Sequence, residues 1–187
     1  MQPIIYDVAV SLDGYICGQD GDISQFAPDG PVVDDYMARL DGYATAIMGR
    51  KTYEFGYDFG LRPGDNPYAH METFVFSQSL RLGDKSQIHV VEDRWSDRID
   101  RLKAKSPGPI YLCGGGEFAG WLLRQGLIDR LVLKRAPCVY GDGVPLFGGQ
   151  GRPLSLLRTG TTSYEGGYLV ERFELGAANS SEPVLVT

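Results

Sequence analysis

Six apolar runs of strand length punctuate the first 136 residues, at 4–10 (IIYDVAV), 44–48 (ATAIM), 73–77 (TFVFS), 87–91 (QIHVV), 109–113 (PIYLC) and 128–136 (IDRLVLKRA), with amphipathic stretches between them. Strands that alternate with helices bury both faces of a mostly parallel sheet, so the pattern predicts an α/β domain with helices flanking a central sheet. Beyond Gly141 the chain turns glycine-rich. Strand candidates at 154–159 and 167–175, separated by Gly160 and Gly166-Gly167, predict an antiparallel hairpin that closes the sheet and makes it mixed.

Spacing predicts three helices. Residues 31–40 carry Val33, Tyr36, Met37 and Leu40 at i, i+3, i+4 and i+7 behind Pro31, a residue suited to the first helical position, and these four define the expected buried face. A second helix is expected after Ser96 as N-cap, ending before Pro107-Gly108. The third covers about 117–125, with Phe118, Trp121 and Leu122 on one face and Gly126 as terminator.

A chain of 187 residues, 43% of them hydrophobic, supports one core, read as a domain over 1–175 with a small, polar tail at 176–187. The net charge of −6 and the lack of a basic run argue against nucleic acid as a partner. No positive charge precedes the first apolar stretch, which Asp7 and Asp13 interrupt; neither a secretory signal nor a membrane span is expected there, and a cytoplasmic protein is. Cys17, Cys113 and Cys138 form no CxxC pair and lie far in sequence from His70 and His89, so no disulfide framework and no metal site are expected.

Two stretches have the chemistry of an anion corner. Gly114-Gly115-Gly116 joins a strand to a helix, where backbone N–H groups free of Cβ crowding meet the positive end of a helix dipole. It does not match GxGxxG, and a tight strand-to-helix turn would need the same glycines. Gly49-Arg50-Lys51-Thr52 occupies a similar junction with two cations and a hydroxyl, which serve a phosphate or sit as solvated surface charges. Ser11-Leu12-Asp13-Gly14 reads locally as a strand-to-loop turn.

Taken in order, DVAVSLDGYI, IMGRKTY and YLCGGGEFAGWLL resemble the dihydrofolate reductase-like superfamily from residue 4 to about 174. The chain is more closely similar to the branch holding the reductase domain of bifunctional riboflavin-biosynthesis deaminase-reductases and its stand-alone relatives. The residues that carry this are 126–131 (GLIDRL), Pro137, Gly141-Asp142-Gly143 and Pro145-Leu146-Phe147.

The resemblance implies NADPH as cofactor. It assigns Gly114, Gly115, Gly116, Glu117 and Phe118 to the pyrophosphate, and Gly49, Arg50, Lys51 and Thr52 to the pyrophosphate and 2′-phosphate side. Ser77, Gln78 and Ser79 become adenosine-side neighbours, with Arg81 and Arg94 as further cations. Residues 9–18 become the loop over the nicotinamide, with Ala9 and Ile16 at the ring. The resemblance also implies a catalytic carboxylate on the helix that follows, at Asp34 or Asp35, that holds the substrate and supports its protonation. At about 100° per residue, Asp34 lies about 110° from the centre of the expected buried face and Asp35 about 150°, so Asp34 is the one placed to flank a pocket, beside Phe26.

Two departures set folate aside as the expected substrate. The covering loop has no Trp, Phe26 being the nearest counterpart, and the Thr that supports pterin binding falls near Lys134. No HxE with PCxxC is present, so the zinc deaminase half is missing. The expectation is an NADPH-dependent reductase that passes hydride to a C=N or C=O bond of a small pterin-, pyrimidine- or ribosyl-like substrate, as a homodimer paired through 128–136 or the tail after Gly176. The alternatives are a non-catalytic dinucleotide-binding or sensor domain of the same fold and a simpler phosphate-ester binder.

Overall fold

A computed structural model describes residues 1–149 and 153–176. The predicted strands form as β1 (Ile4–Val10), β3 (Thr45–Gly49), β4 (Glu72–Phe76), β5 (His89–Val91), β6 (Ile110–Gly114) and β7 (Arg130–Arg135), and the hairpin as β9 (Leu156–Ser163) and β10 (Leu169–Leu175). Together they make an eight-stranded sheet in the order β5-β4-β3-β6-β1-β7-β10-β9. The pairs from β5 to β7 are parallel; β10 runs antiparallel to β7 and to β9. The 177–187 part of the expected tail lies outside the described residues.

Strand alternation sorts the core into two layers. Ile4, Tyr6, Ile47, Phe74, Phe76 and Leu112 pack on one face against α3 (Trp95–Lys105) and α4 (Gly116–Arg124), as the burial of Ile99, Leu102, Phe118 and Leu122 there records. Ile5, Ala46, Met48, Val75 and Tyr111 face the other way, toward Val32 and Leu40 of α1 (Pro31–Leu40). Each such large apolar side chain contributes about 1.5–3 kcal/mol through burial.

Three expectations need correction. The bounds of α1 are as predicted, but its face is rotated: Met37 is 55% exposed whereas Val32 is 4% exposed. Asp35 is half-buried and paired with Arg39, while Asp34 is exposed, the reverse of the expected orientation. Second, α3 starts at Trp95, and its N-cap is not Ser96 but Arg94, in the left-handed region at φ 45 and ψ 47. Third, β7 is shorter than the 128–136 run, and it lies between β1 and β10 with its backbone paired on both sides.

A short pairing absent from the sequence reading joins β2 (Tyr15–Cys17) to β8 (Val144–Pro145). It is one part of a strap, residues 138–149, that clasps the loop after β1. Asp13 accepts from the N–H groups of Tyr140 and Gly141 at 3.2 and 2.7 Å. Leu12 N–H donates to Cys138 O, and Leu146 N–H to Gly14 O. The Tyr6 hydroxyl donates to Leu146 O at 3.0 Å.

Candidate active site

Parallel strands deliver their following loops to one edge of the sheet. Because β4, β3, β6 and β1 are neighbours there, the predicted site stretches 77–79, 49–52, 114–118 and 11–16 emerge side by side. Two helices begin at this edge: α2 (Arg50–Phe55), capped by Gly49, and α4, capped by Gly115, and neither cap supplies a side-chain hydrogen bond. Neither start has a side-chain acceptor of its own for its first N–H groups, the kind of position at which an anion can bind.

Glycine is what lets the two corners meet. A Cβ on Gly115 would stand 2.6 Å from Thr52 Oγ1, and one on Gly49 would stand 3.3 Å from Phe118 Cβ. Gly114, at φ +140, has open space where its Cβ would be, so backbone rather than side chain faces outward there. Lys51 Nζ donates to Glu117 Oε1 at 2.9 Å and ties α2 to α4 across the cradle.

Not every predicted residue faces this cradle. Phe118 is buried in an aromatic stack with Phe76, at 4.8 Å between ring centroids, so only its backbone is available there. Ser77 is buried and its hydroxyl accepts from the N–H groups of Ser79 and Leu80, which shapes the turn, while Gln78 and Ser79 are exposed. Arg50 is exposed and lies 3.6 Å from Glu54; Arg81 lies 3.5 Å from Glu92 and Arg94 lies 3.8 Å from Asp93. Phe26 packs edge-on against Tyr140, and neither it, Ile16 nor Asp34 lines the cavity described next.

Beside the cradle a cavity of about 310 Å³ opens between β1, β7, α1, α2 and the 61–68 loop. Ala9 is among its lining residues, with Asp7, Tyr36, Thr52, Tyr68, Tyr111, Cys113 and Lys134. Sequence reasoning passed over most of these, although Asp7 and Lys134 are charges set inside apolar strand runs. A broader hollow lined by Phe59, Arg62 and Gln87 shares the walls Gly56, Leu61 and Pro67 but is shallow and open.

The hydroxyls of this cavity are tied to one another. Tyr36 and Tyr111 share a hydrogen bond of 2.6 Å, and the Tyr68 hydroxyl lies 3.0 Å from Cys113 Sγ. Burial pushes the Tyr36, Tyr68 and Tyr111 hydroxyls and the Cys113 thiol above their ordinary ranges, so all four stay protonated at neutral pH. Lys134 Nζ lies 4.2 Å from the centroid of the Tyr36 ring. Burial lowers its ammonium below the usual lysine range, with Asp7 opposing the shift and Arg39 adding to it.

A mixed sheet with two helix starts free of side-chain caps at one edge and a ring-lined cavity beside them defines a dihydrofolate reductase-like domain. The chain belongs to the RibD C-terminal domain family, which it matches over residues 2–170. It is 28% identical over 175 residues to the uncharacterized Bacillus subtilis protein YyaP, covering 88% of this chain and 90% of that one. With YwjB of the same organism it shares 31% identity over 144 residues, 75% of this chain and 79% of that one.

Among solved structures, a Shewanella sp. PV-4 protein ascribed to riboflavin biosynthesis superposes with a TM-score of 0.77 at 26% identity, covering 94% of this chain and 99% of that one. The Thermotoga maritima diaminohydroxyphosphoribosylaminopyrimidine deaminase/5-amino-6-(5-phosphoribosylamino)uracil reductase shares the fold at a TM-score of 0.70 and 15% identity, over 94% of this chain and 57% of that one. Among the described residues no helix is long and apolar enough to cross a membrane, and no cluster of His, Cys, Asp and Glu could hold a metal ion.

Proposed function

We propose that this chain is an NADPH-dependent reductase of the cytoplasm that passes hydride to a C=N or C=O bond of a small ring-containing substrate. The observation that carries the reading is the cradle: two helix starts, free of side-chain caps and brought together by Gly49 and Gly115, next to an aromatic cavity. A pyrophosphate fits that arrangement because Gly115 and Thr52 bring the two helix starts close together, the helix dipoles favour negative charge, and Gly114 leaves backbone facing open space. Arg50, exposed at the start of α2, is available to the 2′-phosphate that separates NADPH from NADH.

When bound, the dinucleotide supplies the hydride. The chain's own part is orientation and the exclusion of water: Ala9, small and in the cavity lining, lets a flat ring approach the substrate, and the apolar walls Val8, Met48, Phe55 and Leu61 keep the transfer dry. Kinship with a riboflavin-pathway reductase supports the same reading. Support for a homodimer comes from β9, the outermost strand, on which Leu156 and Leu157 stay exposed.

Nicotinamide fluorescence during titration with NADPH and NADH tests the proposal. NADPH should bind the more tightly, and Arg50→Ala should weaken it by roughly tenfold to a hundredfold, the loss of one charge-assisted phosphate contact worth about 1.5–3 kcal/mol, while NADH changes little. Failure of both nucleotides to bind would end the reductase reading.

A further inference from the structure

Two charged side chains line the cavity, Asp7 and Lys134, and they differ in what they have left to offer. Asp7 is 0% exposed and fully engaged. Its Oδ2 accepts from Arg39 Nε at 2.7 Å and from the Tyr43 hydroxyl at 3.0 Å, and its Oδ1 accepts from Arg39 Nη2 at 3.0 Å. Arg39 Nη1 donates to Asp35, which also lies 3.9 Å from Arg172 Nη2. Both carboxylates on this side of the sheet are thus matched by guanidinium groups.

Lys134 is the charge left over. Its ammonium lies over the Tyr36 ring and has no hydrogen-bond acceptor among the described residues. Two other lysines have carboxylate partners: Lys103 reaches Asp129 at 2.8 Å and Lys51 reaches Glu117 at 2.9 Å. An ammonium carries three donors and makes its strongest hydrogen bonds to anionic oxygens, so an oxygen anion entering the cavity would find donors not committed to the protein. A ligand cation would meet the opposite, since Asp7 is saturated and Lys134 repels it.

The walls select for shape. Rings from Tyr36, Tyr53, Tyr68, Tyr111 and Phe55 border a space of about 310 Å³, which favours a flat one- or two-ring molecule. We infer that the cavity takes a planar conjugated ring bearing a carboxylate or enolate oxygen, and that Lys134 selects it by binding that oxygen. The chemistry done on such a ring rests on the reductase reading; the binding itself does not.

The test uses three molecules of one shape and different charge: 2-naphthoate, 2-naphthamide and 2-naphthamidine, titrated calorimetrically into the full chain without nucleotide at neutral pH. Naphthoate should bind at least about tenfold more tightly than the neutral amide, with the amidine weakest, as one charge-assisted hydrogen bond requires. Lys134→Met should erase the difference between naphthoate and amide, and Lys134→Arg should keep it, with a thermal melt to show that both variants fold. Equal binding of the three, preference for the amidine, no binding of any, or a preference that survives in Lys134→Met would each overturn the inference. NADPH titration of the same preparation separates the two failures: nucleotide binding without a naphthoate preference removes this inference alone, and the reverse removes the cofactor reading alone.

Discussion

Gly116→Ala is expected to lower stability by about 3 kcal/mol, at the upper end of what overpacking costs, which for a chain of this size means a fall in Tm of roughly 6–12 °C. The methyl group would stand 2.4 Å from Pro145 O, 2.8 Å from Gly148 N and 3.1 Å from Gly148 Cα. All three are backbone atoms, so no side chain can swing aside, and either the strap or the start of α4 must move. Gly126→Ala is the control. Gly126 sits at φ +67 with nothing near its Cβ position, so alanine there meets backbone strain without collision and should cost about 1–2 kcal/mol. Equal melting temperatures for the two variants, followed by circular dichroism, would show that the strap does not press on α4 as described.

Arg39→Met is expected to destabilise the chain by about 3–5 kcal/mol, because it strips a fully buried carboxylate of its partner. Tyr43 alone would remain to donate to Asp7, at 3.0 Å. The double variant Asp7→Leu with Arg39→Met should recover most of that loss, since replacing both members of a buried ion pair with apolar groups of similar size is often close to neutral. Urea unfolding of the two single variants and the double closes the cycle. A double variant as unstable as the sum of the singles would mean that the pair contributes little through its own contact and that each residue matters for other reasons.

The same ion pair explains where sequence reasoning went astray. Apolar spacing located α1 to the residue, yet it picked Met37 as core and set Asp35 toward solvent. Periodicity counts greasy positions, and here the inward face carries Arg39, paired with Asp7 and Asp35. The glycine-rich junctions were legible because their conformational demand is local: Gly115 at φ +89 opens α4 just where the triplet suggested. The cavity was not, because Asp7, Tyr36, Tyr68, Tyr111 and Lys134 come from five separate parts of the chain and converge only through sheet order. Likewise β2 and β8, of three and two residues, exist only by virtue of a pairing across more than a hundred positions.

The strap at 138–149 touches both halves of the site at once, holding the loop after β1 through Asp13 and Gly14 and pressing on α4 through Pro145 and Gly148. The loop after β1 and the start of α4 are therefore yoked. A change made at one end, for instance to reshape the loop after β1, will be felt at the other through the shared backbone, and substitutions at the two ends will combine in ways that their separate effects do not foretell. Anyone retuning this scaffold has one mechanical part to adjust there, not two.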